Sequence, residues 1–252
     1  MHEHEENWRS YPIESEDTMG FSMTDLGWAD PPGDHPWCLR LAVELADPGA
    51  EGLGGSEEME ALSEGEDVFL AGAEASDVIH VARVRLGGEV AWFLYARSED
   101  ALETLGAAAA EAMQRDVSVG SQHDPEWGIY ESLLPSPAVE RWMLDCDVVD
   151  SLEEQGDALT TAREVRHYAY FEDRATAESY ALSGEEEGFE AEVTEPSAEQ
   201  EAFTVQLIHQ SAVDLDTISQ TTQSLAERAE ELDGEYDGWE CKLVKGSGGT
   251  VN

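Results

Sequence analysis

The hydropathy pattern of this chain predicts an α+β protein in two domains, and three observations carry that reading. Residues 163–244 alternate strand and helix signals in the order β-α-β-β-α-β. Residues 18–113 hold extended runs interleaved with two helical stretches. Between the two lies Leu133-Leu134-Pro135-Ser136-Pro137, where proline interrupts helix and sheet patterns alike. The expected domains are residues 1–135, an antiparallel sheet with two helices, and residues 136–252.

In the first domain, extended runs fall at residues 18–29, 37–45, 78–86 and 90–96. The last two flank Gly87-Gly88, a hairpin turn signal. Helical periodicity covers residues 56–69 and 98–113, the latter with Leu102, Leu105, Ala109 and Met113 on one side. At the boundary, Ser136 reads as a helix N-cap with Pro137 at the first position. Val139, Trp142, Met143, Cys146, Val149 and Leu152 then recur at helical spacing up to Gly156. This linking helix is expected to pack on the second domain.

That domain opens with residues 163–171, REVRHYAYF, rich in the β-branched and aromatic residues that favour strands. Asp173 caps a short helix with Ala177, Tyr180 and Ala181 on one side and Gly184 at its end. Residues 188–194, GFEAEVT, alternate apolar and polar as a half-buried strand does. A turn through Glu195-Pro196-Ser197 leads to a second alternating run at 201–209. Asp214 caps the clearest helix, in which Leu215, Ile218, Thr222, Leu225, Ala229 and Leu232 share a face before Asp233-Gly234 stops it. A strand over 235–244 completes the split βαβ, ferredoxin-like order, one sheet with two helices on one face. Residues 246–252 are expected to be a flexible tail.

Composition narrows the function classes. The chain has 57 acidic residues against 13 basic ones, a formal net charge of −44, and its only lysines are Lys242 and Lys245. The acids are spread over both halves among 41% hydrophobic residues, so this is not an acidic disordered chain, which would lack apolar content. The pattern instead fits a halophilic surface. At about 1 M salt the Debye length is about 3 Å and neighbouring carboxylates barely repel. Runs such as Glu185-Glu186-Glu187, Glu57-Glu58 and Glu153-Glu154 are then solvated surface rather than metal sites. No stretch approaches the roughly 18 apolar residues of a membrane helix, the acidic N-terminus lacks export features, and the three cysteines make no disulfide framework. The expected setting is cytoplasmic.

No phosphate-cradling loop, nucleophile elbow or paired-histidine metal helix is present, so no catalytic residue, metal or cofactor is expected. Cys38, Cys146 and Cys241 sit among apolar neighbours and read as small buried hydrophobes. His2 and His4, among glutamates, offer metal ligands, but a solvated terminus is the plainer reading. His123-Asp124-Pro125-Glu126-Trp127 sets a histidine beside two carboxylates, a pattern suited to acid–base work. The same residues also read as a helix start, with Asp124 as cap, Pro125 first, and Trp127, Tyr130, Leu133 and Leu134 packing.

Alternation in the second sheet directs Val165, His167, Ala169, Phe171, Val205, Leu207, Trp239 and Cys241 toward the helices. Arg166, Tyr168, Tyr170, Thr204, Gln206, Ile208, Tyr236 and Lys242 are expected on the opposite face, unless a bulge near Gly238 inverts the parity of the last strand. An open face with tyrosines and cations is a platform for a partner protein or for stacked bases. The alternative is a face covered by the linking helix, the first domain or a second subunit.

The run Gly234-Glu235-Tyr236-Asp237-Gly238-Trp239-Glu240 resembles the C-terminal motif of the RraB family, protein regulators of the endoribonuclease RNase E. The resemblance extends over about residues 147–244 and includes Gln155-Gly156-Asp157, His167, Gly188-Phe189 and Ala212-Val213-Asp214. The first domain is similar to an uncharacterised family found fused ahead of RraB-like domains. Its matching features are Trp8, Tyr11, His35-Pro36, Asp47-Pro48, Glu66-Asp67, the Trp92–Tyr95 strand and Asp124-Pro125-Glu126-Trp127 with Tyr130. The resemblance implies a non-enzymatic regulator that binds a ribonuclease or RNA-processing complex and modulates RNA turnover. The residues expected to meet that partner are Arg166, Tyr168, Tyr170, Tyr236, Asp237, Gly238, Trp239 and Glu240. The competing readings are an RNA-binding module on the aromatic face and an enzyme centred on His123, Asp124 and Glu126.

Overall fold

The computed structural model describes residues 4–15, 18–198 and 200–245. The expected tail from residue 246, like His2, lies outside them. The chain divides after Pro135 into two compact units.

The first unit holds an antiparallel six-stranded sheet in the order β1-β2-β4-β5-β3-β6. Its strands are β1 (Trp8–Ser15), β2 (Thr18–Asp25), β3 (Trp37–Glu44), β4 (Ile79–Leu86), β5 (Glu89–Ala96) and β6 (Ser118–His123). Helices α1 (Ser56–Ala75) and α2 (Ala101–Met113) cover one face. There Leu39, Leu41, Val43, Val90, Trp92 and Leu94 meet Leu62, Phe69, Leu105 and Ala109. Burying a side chain of this size contributes roughly 1.5–3 kcal/mol, so this layer dominates the unit's stability. The opposite face is also covered. Cys38, Val81 and Tyr95 pack against Trp127, Tyr130 and the short helix α3 (Gly128–Leu133). A strand buried on both sides has no polar face to show, which is why β5 reads as the unbroken apolar run Val90-Ala91-Trp92-Phe93-Leu94-Tyr95. The two expected helices are thus joined by a third.

In the second unit, α4 (Pro137–Glu154) precedes β7 (Arg163–Phe171), α5 (Arg174–Glu186), β8 (Glu190–Thr194), β9 (Phe203–Ser211), α6 (Leu215–Glu231) and β10 (Glu235–Cys241). The sheet is antiparallel, in the order β10-β7-β9-β8. Caps appear where the sequence places them. Ser136 Oγ accepts from Val139 N, Asp173 from Ala175 and Thr176, and Asp214 from Thr217, each worth about 1 kcal/mol. Gly184 does not end α5. The helix runs through it to Glu186, and Gly188 N and Phe189 N close the end on Glu185 O and Gly184 O. Ala169, Phe171, Val205 and Leu207 from the strands pack on Ala177 and Tyr180 of α5 and Leu225, Ala226 and Ala229 of α6. Behind them, Val149 and Leu152 of α4 join Val165, Val213 and Ile218. Among the described residues no helix is long and apolar enough to cross a membrane.

Candidate functional site

The site grows from the centre of the second sheet. Strand alternation turns Arg166, Tyr168 and Tyr170 of β7 away from the helices, and all three are half-buried by their neighbours. Beside them on β9 stand Thr204, Gln206 and Ile208, with Gln206 registered on Tyr168. Gln206 Nε2 donates to Tyr168 Oη at 2.7 Å, and that hydroxyl donates to Glu240 Oε1, also at 2.7 Å. The row therefore crosses β9, β7 and β10 as one hydrogen-bonded ladder. Burial, and then the Glu240 carboxylate, push the Tyr168 hydroxyl above its ordinary pKa, so it stays a donor. Arg166 lays its Nε and Nη2 on Glu164 Oε1 at 2.9 and 2.7 Å. Tyr170 Oη reaches Asp237 Oδ2 at 3.4 Å. A groove of about 350 Å³ follows the edge, lined by Glu164, Arg166, Glu240, Cys241 and Lys242.

The bulge at Gly238 determines which residues of β10 reach this face. Tyr236 pairs with Ala169 and Gly238 with Tyr168, so Asp237 is the extra residue. The bulge backbone requires φ +150° at Gly238, a conformation that glycine alone adopts without strain. The outcome corrects the simple alternation. Tyr236 does not stand on the open face: it is 8% exposed and belongs to the core. Trp239, three residues on, also turns inward, so the bulge aims both aromatic residues at the helices and leaves Asp237 and Glu240 outside.

Behind the sheet these two aromatics enter a buried polar network. Trp239 Nε1 donates to Asp145 Oδ1 at 2.8 Å, and Thr222 Oγ1 to Asp145 Oδ2 at 2.5 Å. One carboxylate of α4 thereby joins β10 and α6, and burial pushes its pKa up. Because Asp145 reaches Trp239 on the inward side, α4 lies on the helical face and not on the outer one. Tyr236 Oη lies 2.8 Å from His167 Nδ1, and His167 Nε2 lies 3.1 Å from His209 Nε2. Each contact takes one proton, and burial pushes both rings below the usual imidazole range, so they hold these contacts as neutral imidazoles; a second proton between the rings would set N–H against N–H. Asp157, in the Gln155-Gly156-Asp157 run, pairs with buried Arg163 at 2.6 Å and accepts from Val244 N at 2.7 Å. The sequence reading places Thr222 on the buried face of its helix but assigns it no partner, and it does not name Asp145. The signal for them was a carboxylate and a hydroxyl at helical positions otherwise given to apolar residues.

The candidate catalytic group in the first unit does not assemble. Asp124 accepts from Tyr95 Oη at 2.6 Å and from the N–H groups of Gly128 and Ile129, both at 2.9 Å. It caps α3, which starts at Gly128 rather than at Pro125. Trp127 stacks on Tyr95 with 3.8 Å between centroids, and its Nε1 donates to His35 O. His123 lies edge-on against Trp37, and Glu126 is exposed. The segment is a clamp that closes the second face of the sheet. His4 is not a solvated end: its ring stacks on Trp28 at 3.6 Å and its Nε2 meets Asp25 at 2.7 Å. Burial pushes the Cys38 thiol up to about 12, and Cys146 and Cys241 are half-buried. Among the described residues no group of three or more His, Cys, Asp or Glu is placed to hold a metal ion.

With this geometry in view, two family matches divide the chain. Residues 142–241 match the family described as Regulator of ribonuclease activity B. Residues 6–134 match a family of unknown function, DUF695. The Regulator of ribonuclease activity B of Pseudoalteromonas translucida (strain TAC 125) is 31% identical over 107 residues, which span 40% of this chain and 95% of that protein. A crystal structure of an unknown protein from Galdieria sulphuraria covers 82% of this chain and 98% of its own at 12% identity, with a TM-score of 0.24. The crystal structure of a protein assigned as a glycine cleavage system transcriptional repressor covers 83% of this chain and 98% of its own at 13% identity, with a TM-score of 0.26. Scores this low carry no statement about fold.

Proposed function

This chain belongs to the Regulator of ribonuclease activity B family through its second unit and to the DUF695 family through its first, and from that premise we propose that it is a non-catalytic regulator of RNA turnover. It docks on an endoribonuclease of the RNase E type, or on an RNA-processing complex, and alters cleavage without making or breaking a bond itself. The observation that carries the reading is the match along nearly the whole length of a ribonuclease regulator. The element and strand order of the second unit supports a ferredoxin-like domain over residues 136–252, preceded by a separate domain over 1–135. The high acid content and rarity of lysine favour a cytoplasm rich in salt.

The docking surface in this reading is the outer sheet face with its β10 edge: Arg166, Tyr168, Tyr170, Asp237 and Glu240. Gly238 sets the edge's shape, and Tyr236 and Trp239 hold it from behind. Glu164, Glu190, Glu192, Asp237 and Glu240 are all exposed, and Arg166 is already paired. Such a face complements a basic protein surface. It is poorly suited to phosphate, which disfavours the RNA-binding alternative.

Reconstitution with a purified RNase E-type endoribonuclease in molar KCl tests the proposal. The chain is expected to co-elute with the enzyme and change the rate at which it cuts a labelled RNA. Tyr168→Ala and Glu240→Lys are expected to weaken the complex at least about tenfold, the loss associated with a central interface residue. Absence of both co-elution and an altered rate would refute the proposal; retention of RNA by the chain alone would favour the nucleic-acid reading instead.

A further inference from the structure

The first unit contains a cleft of about 480 Å³ between the start of β1, the loop after β2, the outer side of α1 and the start of β4. Carboxylates line it, which is ordinary in a chain with 57 acids. Its walls are not ordinary. Trp8, Trp28, His4 and His80 bring four aromatic rings to one cavity, with Leu70 and Ile79 between them, and no lysine or arginine lines it. The rings stand in two pairs: His4 is stacked on Trp28 at 3.6 Å between centroids, and Trp8 lies 4.9 Å from His80.

The carboxylates fall into two sets. Asp25 is committed to His4 and to the N–H groups of Asn7 and Gly27, and Asp77 is bound by Arg97. Glu6, Asp67 and Glu74 also line the cleft and take part in none of the ion pairs between described residues. His80 adds no competing charge: its Nε2 meets Ala82 O at 3.0 Å, and burial pushes its pKa down to about 4. The cleft thus combines aromatic and aliphatic walls, uncompensated negative charge and a size suited to a small molecule. An organic ammonium satisfies all three, since its positive charge is drawn to indole faces and to carboxylates while its carbon shell fills apolar space.

We propose that this cleft is a binding site for a small organic cation of the quaternary-ammonium class, with Trp8, Glu6, Asp67 and Glu74 as its recognition residues. The site lies wholly within the first unit and is independent of ribonuclease docking. A weakly hydrated ammonium, unlike potassium, gains from desolvation against the rings, so the site discriminates even in concentrated KCl.

Isothermal titration calorimetry of the full chain in molar KCl, with choline and with its uncharged carbon isostere dimethylbutanol, tests this. Choline is expected to bind saturably and the isostere at least about tenfold more weakly, a gap of about 1.4 kcal/mol. Trp8→Leu and Glu74→Gln are expected to weaken choline by a similar factor with the melting temperature unchanged. Glu74 is exposed on α1, so its variant folds even if the tryptophan variant does not. Absence of choline binding, equal binding of the isostere, or affinity untouched by Glu74→Gln each overturns the proposal.

Discussion

Asp145 shows how a single side chain can hold three elements together. It is 3% exposed and carries both the Trp239 indole and the Thr222 hydroxyl. Removing it strands the part-buried Trp239 N–H, while the Thr222 hydroxyl keeps Ser219 O as an acceptor. Asp145→Ala is therefore expected to lower unfolding free energy by about 1–3 kcal/mol, the cost of one unsatisfied donor. Asp145→Asn, which retains an acceptor for Trp239, should lose less. Denaturant titrations in molar KCl measure both, and an alanine variant as stable as the parent would contradict the assigned role. Gly234 makes a second point at this scale. A Cβ there would lie 2.1 Å from the Phe171 ring, which is fully buried. Gly234→Ala is expected to cost about 1–3 kcal/mol through overpacking. The Tyr-Asp-Gly-Trp cluster first noticed as a family motif is thus largely architectural: two of its side chains anchor the last strand, the glycine bends it, and only Asp237 is left facing outward.

Among elements, the paired central strands of the second sheet set a pH limit. His167 of β7 is pushed down to about 3 by burial and by the neighbouring His209, which burial lowers as well. The folded chain therefore refuses a proton that the unfolded chain accepts near pH 6.5. The associated stability is complete above that pH and drains away as pH falls toward the folded value, by up to about 1.4 kcal/mol per pH unit. His80 of β4 adds the same effect in the first unit. Melts at constant salt from about pH 7.5 to about pH 5 should show the decline, and a flat profile would rule it out. The same strands show what a reader of the sequence could see. β7, β9 and α6 bury one face in strict period, so their residues announce themselves. β1 and β6 are edge strands, one containing Pro12 and the other largely exposed, and edges lack the alternation that burial imposes. The helix α3 is only six residues long and takes its cap from a side chain four positions upstream. On the candidate face, β7 and β9 were legible from parity. The position of Tyr236 turned on a bulge, which sequence can suggest but register alone decides.

For the molecule as a whole, the charge of −44 outweighs any single ion pair. Exposed pairs such as Arg174 with Glu178 and Glu195 are worth about 0–1 kcal/mol each and weaken in salt. Repulsion among unpaired carboxylates, by contrast, relaxes as the Debye length contracts from about 10 Å at 0.1 M to about 3 Å at 1 M. Relief of repulsion should win, so the melting temperature is expected to climb across a KCl series, and a value indifferent to salt would contradict this balance. The outermost strand β8 shows what the carboxylates achieve beyond solubility. It is five residues long and places exposed Glu190 and Glu192 on alternate positions of an unpaired sheet edge. Neighbouring copies find no clean backbone rail there to zip onto, so the carboxylates that keep the surface hydrated also guard this edge against strand-to-strand pairing.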